Sequence, residues 1–167
     1  MDKLPGDYVA GFVDGEGCFA LKFRRDVRHE RKNKPVYFYW DIEFAILLKS
    51  DDKEILDCIK NTLGCGRVGN TDKRGCVRYA INDINDLRNK VVLFFKKYPL
   101  RAKKRKDFEL WREAVTIFNR NQRHSINSGK GGFQKTVWDQ KDLNRLEDIH
   151  KLMKSYKGGN RGDWKWK

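Results

Sequence analysis

Apolar positions along the chain change period several times, and each change marks an element. Tyr8, Val9, Phe12 and Val13 recur at helical spacing behind Pro5, a residue tolerated in a first turn; with Asp7 as cap and glycines 15 and 17 as stop, they predict a short helix over 5–15. From Gly17 the period falls to two. Phe19, Leu21 and Phe23 take one side of a strand, and Cys18, Ala20, Lys22 and Arg24 the other. Arg25 to Pro35 is rich in charge and reads as an exposed hairpin tip. Alternation then resumes, with Phe38, Trp40, Ile42, Phe44 and Ile46 opposed to Tyr37, Tyr39, Asp41, Glu43 and Ala45.

Helical spacing returns at Ile55, Leu56, Ile59 and Leu63, opened by Ser50-Asp51-Asp52 and stopped by Gly64. Two shorter strands are expected at 66–72 and 76–82 around the turn Asp72-Lys73-Arg74-Gly75, then a helix over 83–97. After Pro99, Arg101 to Lys106 places five basic residues in six positions ahead of a helix carrying Phe108, Leu110, Trp111, Val115 and Phe118. A polar loop is expected over 119–136, a last helix over 140–155, and a Gly-, Trp- and Lys-bearing tail over 157–167. The order predicts an α+β domain with a four-stranded antiparallel sheet. Residues 1–120 form its core, and 121–167 add a C-terminal helix and basic tail to the same single domain. The first helix has no second copy further along the chain.

Composition narrows the partners. Over 167 residues, 37 Lys and Arg against 23 Asp and Glu give a net charge of +14, the footprint of a polyanion binder. Cys18, Cys58, Cys65 and Cys76 form no CxxC pair, and His29, His124 and His150 stand at no ligand spacing from them, so free thiols are expected rather than zinc or a disulfide framework. No signal pattern opens the sequence and no apolar run approaches the roughly 18 residues of a membrane span. A non-secreted protein that does not engage a membrane is expected.

The chemistry lies at the end of the first helix. Residues 9–17 read V-A-G-F-V-D-G-E-G. The small residues Ala10, Gly11 and Gly15 let two copies of this helix pack with close backbones, and Asp14 and Glu16 sit where it ends. Two such helices about a two-fold axis would bring two carboxylates to one groove, where a hard divalent cation could assist phosphodiester hydrolysis.

With the preceding Asp7-Tyr8 and following Cys18-Phe19, this stretch resembles the LAGLIDADG signature of homing endonucleases. The segment 57–68 ending L-G-C-G-R-V and the block 98–108, Y-P-L-R-A-K-K-R-K-D-F, look like further family blocks. The likeness spans about residues 5–120 in the family's αββαββα order. It implies a saddle-shaped antiparallel sheet that binds DNA, with extra C-terminal helices here. It also implies site-specific cleavage of both strands of a long pseudo-palindromic target by a homodimer joined through Ala10, Gly11, Asp14 and Gly15. Glu16, at the motif's eighth position where the family commonly has Asp, would be the catalytic metal ligand, with the Gly15 carbonyl also facing the metal. Asp14 would close the helix end. Lys103 matches the family's basic residue beside the scissile phosphate. The family's polar position around the end of the second strand matches the stretch Leu47-Leu48-Lys49-Ser50-Asp51-Asp52 and falls on a leucine, with Lys49 or Lys53 as substitutes. The implied cofactor is Mg²⁺ or Mn²⁺, with Ca²⁺ occupying the site without supporting cleavage. The implied location is the cytoplasm or the DNA-containing compartment of an organelle.

The resemblance also assigns the DNA surface. Lys22, Arg24, Tyr37, Tyr39, Asp41 and Glu43 on the strand ribbon, with Arg28, Arg31, Lys32 and Lys34 at its tip, suit a major groove in which Arg and Lys meet guanine and carboxylates meet cytosine N4. Arg67, Thr71 and Arg78 extend the surface, and Lys73 and Arg74 would reach phosphates. Two other readings on the same fold are an intron RNA maturase and a DNA-binding regulator without catalysis. The presence of Glu16 argues against both.

Overall fold

A computed structural model describes residues 2–27, 29, 32–34, 36–122 and 138–156. Arg28 and Arg31 of the expected tip, and Trp164 and Trp166 of the tail, lie outside the described residues. The order of elements is α1 (Gly6–Glu16), β1 (Gly17–Val27), β2 (Val36–Lys49), a 3₁₀ turn (Ser50–Asp52), α2 (Lys53–Leu63), β3 (Arg67–Val68), β4 (Cys76–Ile81), α3 (Ile84–Asp86), a π-helical stretch (Leu87–Val91), α4 (Val92–Lys97), α5 (Lys104–Gln122) and α6 (Gln140–Tyr156). The strands form one open antiparallel sheet in the order β1-β2-β4-β3. Among the described residues, no helix is long and apolar enough to cross a membrane.

The expected alternation is what the register uses. Phe19 pairs with Phe44 and Leu21 with Ile42 on the core face, while Lys22 pairs with Asp41 and Arg24 with Tyr39 on the other. Phe19 is the hub of that core. Its ring lies 5.2 Å from Phe44, 5.6 Å from Phe95, 5.3 Å from Phe108 and 5.2 Å from Trp111. Val9 and Val13 of α1, Leu56, Ile59 and Leu63 of α2, and Leu146, Ile149 and Met153 of α6 complete the buried layer. All the helices that feed this layer leave the opposite sheet face open.

Local chemistry sets the ends. Gly64 takes φ +69°, a left-handed cap that side chains rarely adopt, and its N–H donates to the Lys60 carbonyl at 2.8 Å. Asp83 caps α3 by accepting from the Asp86 N–H at 2.9 Å. α5 and α6 are joined by a two-pronged pair from Arg145 to Glu113 at 2.7 and 2.8 Å. A buried amide, Asn121, donates to Asp142 at 2.6 Å, and the Arg120 guanidinium pairs with the same carboxylate. Burial, followed by the nearby Asp86 charge, pushes the Cys65 thiol up to about 11, which disfavours the thiolate.

Several expectations need correction. Pro5 is the N-cap of α1 without a side-chain bond, and Asp7 sits inside the first turn. The strand expected at 66–72 is reduced to Arg67–Val68, because beyond Gly69 the chain turns back through the Asp72 N–H to Cys76 carbonyl bond at 2.7 Å. Thr71 therefore lies in a loop. β1 and β2 stay paired through Val27 and Val36, so Arg25, Asp26 and Val27 belong to the ribbon and not to its tip. α5 begins at Lys104 and runs to Gln122, absorbing half of the basic run at one end and Asn121 at the other.

Candidate active site and nucleic-acid interface

α1 and β1 meet without an intervening loop, since Glu16 ends the helix and Gly17 starts the strand. The join is possible because residue 17 lacks a side chain: a Cβ there would lie 2.5 Å from Val13 Cγ1 and 2.8 Å from its carbonyl oxygen. The Gly17 N–H instead donates back to Val13 and caps the helix. Glu16 is thereby fixed, exposed, at the edge of the open sheet face, and makes no hydrogen bond or ion pair among the described residues.

The C-terminal carbonyls of α1 would otherwise be orphaned, and the helix has no basic residue in its last turn to offset its dipole. Lys104 supplies the charge from α5. Its ammonium donates to the Gly15 carbonyl at 2.5 Å and the Asp14 carbonyl at 3.1 Å. Lys103, the basic residue expected at this point, is exposed, and its side chain makes no hydrogen bond to the motif end. The reason lies in where α5 starts and in its phase: Lys104 is its first residue and shares the inward face of Phe108, Trp111 and Val115, whereas Lys103 belongs to the turn before it. That spacing was available in the sequence.

Asp14 joins the same corner from the other side. Its Oδ2 accepts from the backbone N–H groups of Arg101 at 2.7 Å and Ala102 at 3.2 Å, while Oδ1 is buried without a partner. The side chain thus locks the end of α1 to the segment that leads into α5. Asp14→Ala removes both acceptor contacts and should lower unfolding stability by about 1–3 kcal/mol, measured by urea titration. An unchanged midpoint would mean that this lock carries no stability.

Of the residues expected on a dimer face, Gly11 and Gly15 are bare: a Cβ at either would touch nothing within 4 Å. Tyr8 beside them is 51 % exposed and stacks on Phe12 at 6.4 Å. Ala10 points the other way and is buried in this chain's own core.

The open sheet face gathers most of the expected nucleic-acid residues. β1 contributes Cys18, Ala20, Lys22 and Arg24; β2 contributes Tyr37, Tyr39, Asp41, Glu43, Ala45 and Leu47; Arg67 and Arg78 follow on β3 and β4. Charges there are interlocked. Arg24 pairs with Asp41 at 2.8 Å, and Glu43 Oε1 accepts from both Lys22 and Arg78, the latter at 2.6 Å. Burial alone would raise the Glu43 carboxyl, but these two cations hold it below its ordinary value. Arg74 is folded back on Asp72, whose carboxylate is lowered by the Cys76 backbone N–H and by Arg74 itself. Lys73 and Thr71 are exposed beside it. Lys49 donates to the Arg74 carbonyl at 3.2 Å, and Lys53 pairs with Asp57 within α2.

Among the described residues no three His, Cys, Asp or Glu side chains cluster as a ready-made metal site. The oxygens at the end of α1, the Glu16 carboxylate and the Gly15 and Asp14 carbonyls, are nevertheless an all-hard donor set. The ammonium seated on the carbonyls shows that the corner accepts positive charge.

Residues 9–115 match the family described as LAGLIDADG endonuclease. The chain belongs to this family. Among curated relatives, it is 31 % identical over 116 residues to a probable intron-encoded endonuclease 3 of Neurospora crassa, covering 69 % of this chain and 20 % of the relative. The chain thus spans about one fifth of that protein. Among solved structures, the homing endonuclease I-TnaI is similar at TM-score 0.67 and 27 % identity, with 93 % of this chain and 97 % of that one covered. I-SmaMI, bound to an uncleaved DNA target in the presence of calcium ions, has the same fold at TM-score 0.67 and 22 % identity, with 90 % of this chain but only 45 % of that one covered. The αββαββα order and the antiparallel sheet expected for a LAGLIDADG chain are therefore present, with α3 to α4 as the third helical segment and α5 and α6 added.

Proposed function

We propose that this chain is a site-specific endonuclease that cuts both strands of DNA, with a divalent metal, as a homodimer formed through α1. The observation that carries the proposal is Glu16: an unengaged carboxylate fixed at the end of a helix, beside hard carbonyl oxygens, at the edge of a cationic and aromatic sheet face. The intron-encoded and DNA-bound relatives support the reading.

Each residue then has a task. Gly11 and Gly15 present a bare strip on α1 against which the same strip of a second copy packs, and the two-fold brings two Glu16 carboxylates to one groove. Glu16 and the Gly15 carbonyl would hold Mg²⁺ or Mn²⁺, which supplies positive charge at the scissile phosphate. Ca²⁺ is expected to bind there without supporting cleavage. Lys104 brings a protonated ammonium to the same corner, where it offsets charge building on a phosphate oxygen. The sheet fixes the register of the duplex: Lys22, Arg24, Tyr37, Tyr39, Asp41, Arg67 and Arg78 lie against base edges, and Thr71, Lys73 and Arg74 near phosphates.

Lys104→Gln should slow single-turnover cleavage on the order of 10²-fold, and Lys103→Gln far less. The reverse ranking would assign the role to Lys103.

The proposal is tested by selecting from a randomised duplex library with purified protein and Mg²⁺. A long, partly palindromic site cut on both strands is expected. A chain that binds duplex DNA but cuts it with no divalent metal would be a regulator, and one that prefers structured RNA would be a maturase.

A further inference from the structure

We infer that Glu43 is a positioning residue that sets the base preference of Lys22 and Arg78, and does not itself read a base. The inference rests on the proposed reading of DNA by the open sheet face. One carboxylate oxygen, Oε1, takes both cations, and the Glu43 side chain is only 11 % exposed beneath them, whereas Lys22 and Arg78 are 39 % and 43 % exposed. The acid is therefore covered and the two bases that cover it remain accessible. A carboxylate meant to accept from cytosine N4 would need the opposite arrangement.

The backbone around Glu43 is held from both sides. Its residue partner in β1 is Ala20, and its carbonyl accepts the Trp111 indole N–H at 3.1 Å from the core face. The side chain thus stands on a rigid base in the middle of the three strands it joins. Arg78 lies opposite Leu47, four residues along β2 from Glu43, so its guanidinium reaches Glu43 across the next pair on the open face, Ala45 and Ala80. Both are alanine, and a longer side chain at either would stand in the path. Lys22 reaches the same oxygen diagonally, since its own partner is Asp41.

Unheld, Lys22 and Arg78 are long chains with many rotamers, and an ammonium or guanidinium that samples several acceptors discriminates poorly among bases. Held at a common point, each offers a fixed set of donors. Glu43 also cancels one of the two positive charges and so limits sequence-independent attraction to phosphates. The Arg24–Asp41 pair is one-to-one and more exposed, with the acid at 26 %, and serves as an internal comparison.

The test is a base-preference profile obtained by binding selection on randomised duplexes, without cleavage, for wild type, Glu43→Gln, Glu43→Asp, Lys22→Gln and Arg78→Gln, with folding checked by thermal melting. Lys22→Gln and Arg78→Gln should each flatten the profile at their own base pairs. Glu43→Gln should flatten it at those same base pairs, by about tenfold in discrimination, and leave the positions read through Arg24 and Asp41 in place. It should also bind random-sequence DNA more tightly and with a steeper salt dependence. Glu43→Asp, which keeps the charge, should recover part of the preference. A folded Glu43→Gln with the wild-type profile overturns the inference, as does one that loses preference at a base pair untouched by the Lys22 and Arg78 variants. A wild-type chain with no preference among duplexes would overturn the DNA-reading proposal beneath it.

Discussion

Glu16→Gln should lower the rate of DNA cleavage by a thousandfold or more and leave the duplex bound. The amide matches the acid in size but carries no negative charge. A site that relies on a divalent cation for several kcal/mol of charge stabilisation loses most of it, and each 1.36 kcal/mol is about tenfold in rate. The fold should not register the change, because Glu16 is exposed and makes no hydrogen bond or ion pair among the described residues. DNA affinity should hold or rise slightly, since one carboxylate has been removed from an edge that faces phosphates. Single-turnover cleavage and a binding titration on the same duplex separate the two effects. A variant that cuts at near the wild-type rate would remove Glu16 from the chemistry.

The largest effect on stability should come from Trp111→Ala. The indole is fully buried, packs 5.2 Å from Phe19 and 6.4 Å from Phe108, and spends its only donor on the Glu43 carbonyl. Truncation leaves a cavity at the point where α5 meets the sheet and an acceptor without its partner. Such changes cost about 3–5 kcal/mol, set against the roughly 5–15 kcal/mol by which a domain is stable. Trp111→Phe keeps most of the ring and should cost less. Urea unfolding of the two variants checks the order, and an alanine variant within about 1 kcal/mol of wild type would mean that the core does not centre on this contact.

The elements were legible wherever one face is buried against another. Phe19 and Leu21, and Ile42, Phe44 and Ile46, alternate because a shift of one residue would turn the core outward, so pattern and register say the same thing. The ribbon's outer end was not legible: Arg25 to Val27 are held by main-chain pairing with no core beneath, and their side chains carry no period. Asn121 read as loop composition, yet it lies in the last turn of α5, where Asp142, twenty-one residues on, accepts from its amide. Such a partner is invisible to any local window.

The candidate site divides in the same way. Glu16 was legible because nine consecutive residues, V-A-G-F-V-D-G-E-G, hold both the helix and its end. That Lys104 is the lysine seated on the end of α1 follows from the phase of α5, readable from Phe108, Trp111 and Val115 once extrapolated back one turn. Ala10 went to the core instead of the bare strip because Val9 and Val13 set the buried side of α1. The joint hold of Glu43 on Lys22 and Arg78 depends on β4 lying beside β2, which no spacing in the sequence specifies.

In the proposed dimer each subunit brings one Glu16 to a shared groove. Strand-resolved cleavage by a mixed dimer, one subunit wild type and the other Glu16→Gln, separates the two contributions. The mixed dimer should bind its site normally and cut one strand only, where the wild-type dimer cuts both. A mixed dimer that cuts both strands at the wild-type rate, or full cleavage by a chain that stays monomeric on its target, would contradict that arrangement.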